Sequence, residues 1–309
     1  MAQAPKYLTG DPSAINAFVD QFDVFLIDCD GVLWSGDHLF DGVAETLGLL
    51  RSKGKRTVFV TNNSTKSRPE YLKKFAKLGI PADVEDIFGS AYSAAIYISR
   101  ILKLPPSKNK VFVLGEAGIE NELRTENIPF IGGTDSNYRR DMTPEDWQGI
   151  ADGSLLDPDV GCVLAGLDFH VNYLKLSHAH QYLRRGAVFL ATNLDPTFPM
   201  NHNFFPGAGS IVIPLSNMAG EKPLALGKPS QAMMDAIEGK FKLNRARTCM
   251  IGDRLDTDIK FGIEGQLGGT LAVLSGVSKK ADWEAEGAAA VPAFYVDQLG
   301  DLRGGGTGA

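Results

Sequence analysis

Two aspartates, Asp28 and Asp30, follow directly after a short apolar run from Val24 to Ile27. A continuous apolar run of this length is typical of a strand that is buried on both faces of a sheet. Ligand sites in open α/β sheets lie just beyond the carboxyl ends of such strands. Two carboxylates placed together there are costly unless a cation or the substrate chemistry requires them. The segment therefore indicates a catalytic site, although aspartate and glycine are also ordinary turn formers.

Two further segments carry groups that suit a bound phosphate. Thr61, Asn62 and Asn63 follow the apolar run Thr57–Val60 and offer hydroxyl, amide and backbone N–H groups to an oxyanion. Lys228 lies just before a predicted helix, where the lysine charge and the helix N-terminus both attract phosphate. Read separately, these segments are ordinary turns and an ordinary surface lysine.

A second group of acids follows the apolar run Thr248–Ile251. Asp253 comes directly after Gly252, and Asp258 lies further along the same segment. The glycine permits a close approach, and both carboxylates can point inward at the carboxyl end of the strand. Oxygen ligands without clustered cysteine or histidine indicate Mg²⁺ rather than zinc.

Strands and helices alternate around these motifs. Helices are predicted to begin near Asp11, Gly42, Ser67, Ser230 and Asp256. Further strands are predicted at Val111–Leu114, Cys162–Ala165, Val188–Ala191 and Thr270–Leu274. This alternation is typical of βαβ units, so the sequence predicts an α/β fold with a mainly parallel sheet.

Two breaks in the alternation divide the chain. The first is the proline-containing segment Leu104–Asn109, and the second is Ala219–Pro223. We therefore predict a core domain in two parts, residues 1–104 and 221–303, with an inserted domain at residues 105–220. The glycine-rich end, residues 304–309, predicts a disordered tail.

The composition excludes several classes of protein. The 309 residues include 31 Lys and Arg against 37 Asp and Glu, a formal net charge of −6. A net negative charge does not favour binding to nucleic acid or to an anionic membrane surface. No apolar run approaches about 18 residues, so no membrane span is expected. The three cysteines form no paired framework, which predicts a reducing compartment and a cytoplasmic protein.

The order of the four motifs resembles that of the haloacid dehalogenase (HAD) phosphatases. The segments FLIDCDGVLW, VFVTNNSTKSR, GKPS and MIGDRLDTDIKFG are similar to the branch that contains 4-nitrophenylphosphatase, phosphoglycolate phosphatase and pyridoxal phosphatase. The resemblance extends from about Asp11 to Leu302. It implies a HAD-like Rossmannoid core with an inserted α/β cap domain that closes over the active site.

The resemblance also implies roles for the motif residues. Asp28 matches the nucleophile that forms an aspartyl-phosphate, and Asp30 matches the general acid and base. The transferring phosphoryl group is held by residues that match Thr61, Asn62, Asn63 and Lys228. Magnesium is held by residues that match Asp28, Asp253 and the backbone carbonyl of Asp30. Asp258 matches a more distant acid that orients Lys228 or a water bound to Mg²⁺.

The segment Thr192–Met200 resembles the substrate-facing loop of the cap in related phosphatases. Its candidate specificity residues are Asn193, Asp195 and Phe198. Phe198 occupies the position of a histidine in the pyridoxal phosphatases, which favours 2-phosphoglycolate over pyridoxal phosphate. The sequence thus predicts a Mg²⁺-dependent phosphatase that hydrolyses 2-phosphoglycolate and 4-nitrophenyl phosphate.

Three alternatives remain open at this stage. The first is a phosphatase of pyridoxal phosphate, the second is a protein phosphatase, and the third is an inactive sensor of a phosphorylated ligand. A large cap disfavours folded protein substrates, and the four intact motifs disfavour the sensor. Relatives with this cap are commonly homodimers, so the resemblance also implies a homodimer joined through the cap.

Overall fold

The computed structural model describes residues 4–200 and 203–306. Its strands are β1 (Lys6–Tyr7), β2 (Val24–Ile27), β3 (Trp34–Ser35), β4 (His38–Leu39), β5 (Arg56–Thr61), β6 (Ile87–Gly89), β7 (Lys110–Leu114), β8 (Phe130–Gly132), β9 (Val160–Ala165), β10 (Val188–Ala191), β11 (Thr197–Met200), β12 (Asn203–Pro206), β13 (Leu224–Ala225), β14 (Thr248–Gly252), β15 (Gly269–Val273) and β16 (Phe294–Val296).

Its α-helices are α1 (Pro12–Gln21), α2 (Val43–Ser52), α3 (Arg68–Lys77), α4 (Ser90–Ile96), α5 (Ala117–Thr125), α6 (Pro144–Asp152), α7 (Tyr173–Arg184), α8 (Gly209–Ala219), α9 (Gln231–Phe241), α10 (Lys260–Glu264) and α11 (Lys280–Glu284). A π-helical segment, Tyr97–Leu102, continues α4, and another, Leu255–Ile259, precedes α10. No helix in the described part of the chain has the length and apolar character needed to cross a bilayer.

Seven strands form the larger sheet, in the order β1-β16-β15-β14-β2-β5-β6. All neighbouring pairs in this sheet are parallel. The adjacent strands β14, β2 and β5 are those predicted from the three apolar runs that precede the motifs. Their side chains are almost all buried, as expected for parallel strands covered on both faces. The predicted α/β fold with a mainly parallel sheet is confirmed.

A second parallel sheet is formed by the chain between β6 and β14. Its strand order is β13-β10-β9-β7-β8, and every neighbouring pair is again parallel. Strands β11 and β12 form a separate antiparallel hairpin. We refer to β7 to β13, with the helices between them, as the insert.

The position of β13 differs from the sequence prediction. Leu224 and Ala225 lie in the predicted second part of the core, 221–303, but they pair with Leu190 and Ala191 of the insert. The backbone of these two residues completes the edge of the second sheet, which a two-residue apolar segment does not reveal in the sequence. As a result, the loop that contains Lys228 runs from the edge of the second sheet to the larger sheet, where Lys228 contacts Asp28.

The predicted disordered tail is wrong for part of its length. A 3₁₀ helix covers Leu299–Gly306, so Gly304, Gly305 and Gly306 continue an ordered element. Leu299 and Leu302 of the same helix belong to the main hydrophobic core, and this packing holds the glycines that follow. Residues 307–309 of the predicted tail lie outside the described residues.

Helix α4 packs against both sheets. Ala94 and Ile98, which follows α4, lie in a hydrophobic cluster with strands β7, β9 and β10 of the insert. Tyr92 and Ile96 instead pack with residues of β2, β5 and α9. The small side chains of this alanine-rich helix permit close approach on both sides. A continuous packed layer therefore connects the insert to the larger sheet.

Candidate active site

The candidate site lies at the carboxyl ends of three adjacent strands. Asp28 directly follows β2, Thr61 ends β5, and Asp253 directly follows β14. The strands are neighbours in the order β14-β2-β5, so parallel pairing brings these residues to one edge of the sheet. This edge is where open α/β sheets bind ligands.

Lys228 joins two of the carboxylates. Its Nζ lies 2.6 Å from Asp28 Oδ1 and 2.6 Å from Asp258 Oδ1, and it donates to the Val60 carbonyl at 2.9 Å. Burial alone would lower the pKa of Lys228, but Asp258 and Asp28 outweigh that effect and raise it. The lysine is therefore held as a cation beside the predicted nucleophile.

Burial raises the pKa of Asp28 well above its ordinary range, and the positive charge of Lys228 opposes this shift. The nearby charges of Asp258 and Asp253 act in the same direction as burial. Burial and these like charges therefore both oppose ionisation of Asp28. A bound cation would relieve the repulsion and favour the ionised form of Asp28.

Asp28, Asp253 and Asp258 each offer a carboxylate oxygen, and these atoms lie within 4.8 Å of one another. Asp253 Oδ1 is buried and has no hydrogen-bond partner among the described residues. A buried polar atom of this kind requires a ligand, because an unsatisfied carboxylate oxygen is costly. Three carboxylates, one of which has this unpartnered oxygen, fit Mg²⁺. Burial and the neighbouring Asp258 raise the pKa of Asp253 to about 7.

The backbone around Asp253 brings neighbouring loops very close to it. Asp253 Oδ2 accepts a hydrogen bond from the Val277 N–H at 2.8 Å. Gly31 has a φ of +88°, and a Cβ there would lie 2.5 Å from Asp253 Oδ2. The glycine of the Asp-Cys-Asp-Gly motif is therefore required both by its backbone conformation and by this contact.

Asp30 lies apart from the three-carboxylate cluster. Its Oδ1 accepts a hydrogen bond from Trp34 Nε1 at 2.8 Å, and Lys74 Nζ lies 3.6 Å from the same oxygen. The Asp30 side chain is 32% exposed, whereas that of Asp28 is 12% exposed. Asp28 and Asp30 therefore occupy different environments, as a nucleophile and an acid–base group require.

The side chain of Asn62 contacts the loop that contains Lys228. Its Oδ1 accepts from the Lys228 backbone N–H at 2.7 Å, and its Nδ2 donates to the Lys228 carbonyl at 3.0 Å. The same amide donates to Asp195 Oδ1 at 3.0 Å. Because both polar atoms of this side chain are engaged, Asn62 fixes the Lys228 loop. Any contact of this side chain with phosphate would have to replace one of these bonds.

Thr61 and Asn63 form the rest of this polar loop. Thr61 Oγ1 accepts from the Asn63 N–H at 3.1 Å and lies 3.3 Å from the Tyr71 hydroxyl. Asn63 Oδ1 accepts from the backbone and hydroxyl of Thr65, at 3.0 and 2.7 Å. These bonds hold the loop in a tight turn, with both side chains on the wall of the cavity.

The loop after β10 brings the insert against the larger sheet. Asn193 Nδ2 donates to the Asn62 carbonyl at 2.7 Å, and Asn193 Oδ1 accepts from the Asp195 N–H at 3.1 Å. Asn193 is therefore a buried structural residue between the two loops. Burial raises the pKa of Asp195 to about 6, although Arg254 and Asn62 oppose the shift.

Phe198 lies in an aromatic group on the insert side of the site. Its ring centroid is 5.9 Å from that of Phe169 and 6.0 Å from that of Phe205. Phe198 and Phe169 both line the cavity. The predicted specificity residue is therefore part of an apolar wall opposite the carboxylates.

These groups surround one cavity of about 600 Å³. It is lined by every residue that was predicted for the site, namely Asp28, Asp30, Thr61, Asn62, Asn63, Asn193, Asp195, Phe198, Lys228, Asp253 and Asp258. The structure brings them together, and their individual roles remain predictions. The cavity is also lined by five residues that were not predicted from the sequence, namely Tyr71, Lys74, Leu167, Phe169 and Arg254.

Comparison with known proteins identifies the family. The family described as haloacid dehalogenase-like hydrolase matches residues 25–129, and a HAD-hydrolase-like family matches residues 225–302. The chain is 50% identical to a 4-nitrophenylphosphatase of Schizosaccharomyces pombe over 94% of this chain and 96% of the relative. It is 43% identical to the chloroplastic phosphoglycolate phosphatase 1A of Arabidopsis thaliana, over 92% of this chain and 77% of the relative.

A solved phosphatase structure also resembles this protein. The structure of a glycerol phosphate phosphatase from Mycobacterium tuberculosis in complex with magnesium superposes with a TM-score of 0.75. The two proteins are 28% identical, and the match covers 92% of this chain and 77% of the other. The chain thus belongs to the haloacid dehalogenase-like hydrolase family that its four motifs predicted.

Proposed function

We propose that the protein is a Mg²⁺-dependent phosphatase that hydrolyses small phosphate monoesters through an aspartyl-phosphate on Asp28. One observation carries the proposal. Asp28 lies beside Lys228 and the acids Asp253 and Asp258, and Asp253 Oδ1 is buried without a partner. This arrangement neutralises charge around a carboxylate nucleophile, as attack on an anionic phosphate requires.

The reaction follows from the positions of the two motif aspartates. Asp28 attacks phosphorus, and a new bond from its carboxylate oxygen to phosphorus forms as the bond from phosphorus to the ester oxygen breaks. Asp30 gives its proton to the ester oxygen as that oxygen leaves. Asp30 then takes a proton from water, which attacks phosphorus and releases inorganic phosphate from Asp28.

The remaining polar residues position these groups. Lys228 offsets the negative charge of the phosphoryl group, and Asn62 holds the Lys228 backbone. Asp28, Asp253 and the Asp30 carbonyl would hold Mg²⁺, with Asp258 beside them as the partner of Lys228. The bound cation would supply charge neutralisation at the phosphoryl oxygens.

We propose 2-phosphoglycolate and 4-nitrophenyl phosphate as substrates. The names of two relatives support these two substrates. Phe198 stands in the cavity wall where the resemblance places a histidine in pyridoxal phosphatases, and its ring offers no hydrogen bond to a pyridoxal group. The insert loop that lies over the site also disfavours a folded phosphoprotein, because Asp195 contacts Asn62 directly.

Release of 4-nitrophenol tests the activity itself. The purified protein is assayed with Mg²⁺, then with EDTA, then after Mg²⁺ is added back. We expect activity that is lost in EDTA and restored by Mg²⁺. Absence of turnover with Mg²⁺ would favour the sensor of a phosphorylated ligand, and full activity in EDTA would contradict the metal assignment.

A comparison of two substrates tests the specificity. One lost hydrogen bond in the site costs about ten- to a hundred-fold in kcat/KM, so we expect 2-phosphoglycolate to exceed pyridoxal phosphate by at least about ten-fold. Phe198→His should narrow this ratio. A wild-type preference for pyridoxal phosphate would contradict the interpretation of the loop but not the phosphatase activity.

We also propose a homodimer and a cytoplasmic location. The insert exposes a group of large apolar side chains, including Phe169, Phe204 and Phe205, beside an apolar groove of about 420 Å³. Exposed apolar groups of this kind mark interaction surfaces. The three cysteines are buried and unpaired, which fits a reducing compartment.

A further inference from the structure

Lys74 places an ammonium group beside the residue assigned to the leaving group. It lies on α3 and lines the cavity. Its Nζ is 3.6 Å from Asp30 Oδ1 and 4.2 Å from the centre of the Trp34 ring. The Lys74 side chain is only 11% exposed, so its charge is largely withdrawn from water.

Other cations around the cavity are already paired or are exposed to water. Lys228 contacts Asp28 and Asp258 at 2.6 Å each. Arg254 donates to both carboxylate oxygens of Asp256, at 3.2 and 2.9 Å. Lys66, which also lines the cavity, is exposed, so water screens its charge.

The contact between Lys74 and Asp30 is loose. At 3.6 Å it exceeds the usual hydrogen-bond distance, and the same oxygen already accepts a bond of 2.8 Å from Trp34. The Lys74 ammonium therefore retains donors for a second anionic group. The desolvated position makes such a contact stronger than one at the surface.

We propose that Lys74 binds a carboxylate on the leaving group of the substrate. The inference rests on the proposed function, in which Asp30 protonates the ester oxygen. In 2-phosphoglycolate a single methylene separates the carboxyl carbon from that oxygen. A cation beside Asp30 is thus within reach of the substrate carboxylate, and Lys74 acts as a specificity residue for short phosphorylated hydroxy acids.

If Lys74 instead only positioned Asp30, its loss would affect a different set of substrates. Loss of Lys74 would then impair every substrate whose leaving oxygen needs a proton, with or without a carboxylate. Two substrates of similar length distinguish the roles. 2-Phosphoglycolate carries the carboxylate, and n-propyl phosphate has an equally poor leaving group without a charge.

The decisive variant is Lys74→Met, which keeps an unbranched apolar stem against Trp34. Loss of a charge-assisted contact predicts a fall of about ten- to a hundred-fold in kcat/KM for 2-phosphoglycolate, mostly through KM. For n-propyl phosphate the change should stay below about three-fold. Lys74→Arg keeps the cation and should recover part of the activity toward 2-phosphoglycolate.

Lys73→Met is the matched control, because Lys73 lies on the same helix but is exposed. It should leave both kcat/KM values unchanged. An equal loss of both activities in Lys74→Met, or no loss of either, would overturn the proposal. A wild type that does not prefer 2-phosphoglycolate to n-propyl phosphate would contradict the proposed substrate itself. A preference that survives Lys74→Met would contradict only the assignment of Lys74.

Discussion

Asp28 and Asp30 are two residues apart in the chain but meet different partners. Asp28 contacts Lys228 in a buried group of charges, whereas Asp30 contacts Trp34 and Lys74 at the cavity wall. The chain turns directly after β2, and this turn separates the two carboxylates. One aspartate can therefore attack phosphorus while the other exchanges protons with the leaving group and water.

Asp30→Asn tests this division of labour through the leaving group. The amide keeps the shape of the side chain but supplies no proton to a poor leaving group. We expect kcat with 2-phosphoglycolate to fall by about 10²–10⁴-fold, the usual contribution of a general acid. The rate at which the bond from phosphorus to the leaving oxygen breaks should fall less with 4-nitrophenyl phosphate than with 2-phosphoglycolate, because 4-nitrophenolate barely needs protonation.

The measurement is a single-turnover assay of both substrates, which isolates release of the leaving group from later hydrolysis. Asp37→Asn is a useful control, because Asp37 is an exposed acid at the same cavity. Equal losses for both substrates in Asp30→Asn would contradict the acid role.

Asp253→Asn tests the metal assignment. Replacing one carboxylate by an amide removes a charge from the cluster that we propose to hold Mg²⁺. The Mg²⁺ concentration that gives half-maximal activity should rise by at least about ten-fold. In the wild type, Mg²⁺ should also raise the melting temperature, since a ligand that binds the folded state stabilises it.

Titration of activity and of melting temperature with Mg²⁺ gives two independent measurements. The metal-induced rise in melting temperature should be smaller in Asp253→Asn than in the wild type. Asp256→Asn changes a nearby acid that is paired with Arg254 and serves as the control. An unchanged Mg²⁺ titration in Asp253→Asn would place the metal elsewhere.

The loop after β10 shows how one element links the insert to the catalytic edge. Asp195 accepts hydrogen bonds from Asn62, and Asn62 in turn holds the Lys228 backbone. The pKa of Asp195 is raised to about 6, so the folded state favours its protonated form. Because the folded state binds more protons than the unfolded state between about pH 4 and pH 6, this group lowers stability as the pH rises through that range.

Asp195→Asn should remove this pH-dependent cost. The new amide oxygen can still accept from Asn62, but it has no charge to desolvate. The free energy of unfolding of the variant relative to wild type should rise between pH 4 and pH 7 by at most about 3 kcal/mol. Urea unfolding at several pH values measures this difference.

The comparison with wild type is needed because other groups titrate in the same range. Burial lowers the pKa of His178 to about 4, so its contribution to stability changes in the opposite direction as the pH rises. His178 is present in both proteins, and its effect cancels in the difference. A difference that stays constant from pH 4 to pH 7 would contradict the account of Asp195.

Helix α3 shows why part of the site was missed in the sequence. Tyr71 and Phe75 have the i, i+4 spacing of one helix face, and both are buried. The same helix also places the Tyr71 hydroxyl near Thr61 and the Lys74 ammonium near Asp30. Helical periodicity identifies the buried face but not what that face meets, because this depends on the packing of α3 against the end of β2.

Asp28, Thr61 and Asp253 were predictable because each lies at the end of a strand whose apolar run is visible in the sequence. Helix α6 was not predicted, because its segment has few apolar residues and no clear helical period. Its first turn is instead fixed by Thr143 and Asp146, which bond each other's backbone, and by Pro144. The role of Asn62 was also hidden, because Lys228 and Asp195 approach it only in the folded chain.

The molecule as a whole has two parallel sheets, with the proposed chemistry at the edge of one and an apolar wall supplied by the other. The carboxylates and Lys228 lie on one side of the cavity, and Phe198 and Phe169 lie on the insert side. Phosphoryl transfer needs the first side, and the second side supplies an apolar surface for the leaving group.

The proposed homodimer predicts a mass of about twice 33.3 kDa by light scattering at micromolar concentration. Phe204 is 54% exposed on the insert, and Phe204→Glu should shift the protein toward the monomer by placing a charge in the proposed interface. Ile101→Glu is the control, because Ile101 is 68% exposed and belongs to the segment after α4, outside the insert. A wild-type monomer would contradict the homodimer.

The most direct test of the account is chemical trapping of the phosphorylated residue. The Mg²⁺-loaded enzyme is mixed with 4-nitrophenyl phosphate, quenched in acid, and treated with borohydride, which reduces an acyl phosphate to an alcohol. Peptide mass spectrometry then identifies the residue that has been reduced. We expect homoserine at position 28, absent without substrate and absent in Asp28→Asn. Turnover without reduction of Asp28, or with the reduced residue at another position, would contradict the account.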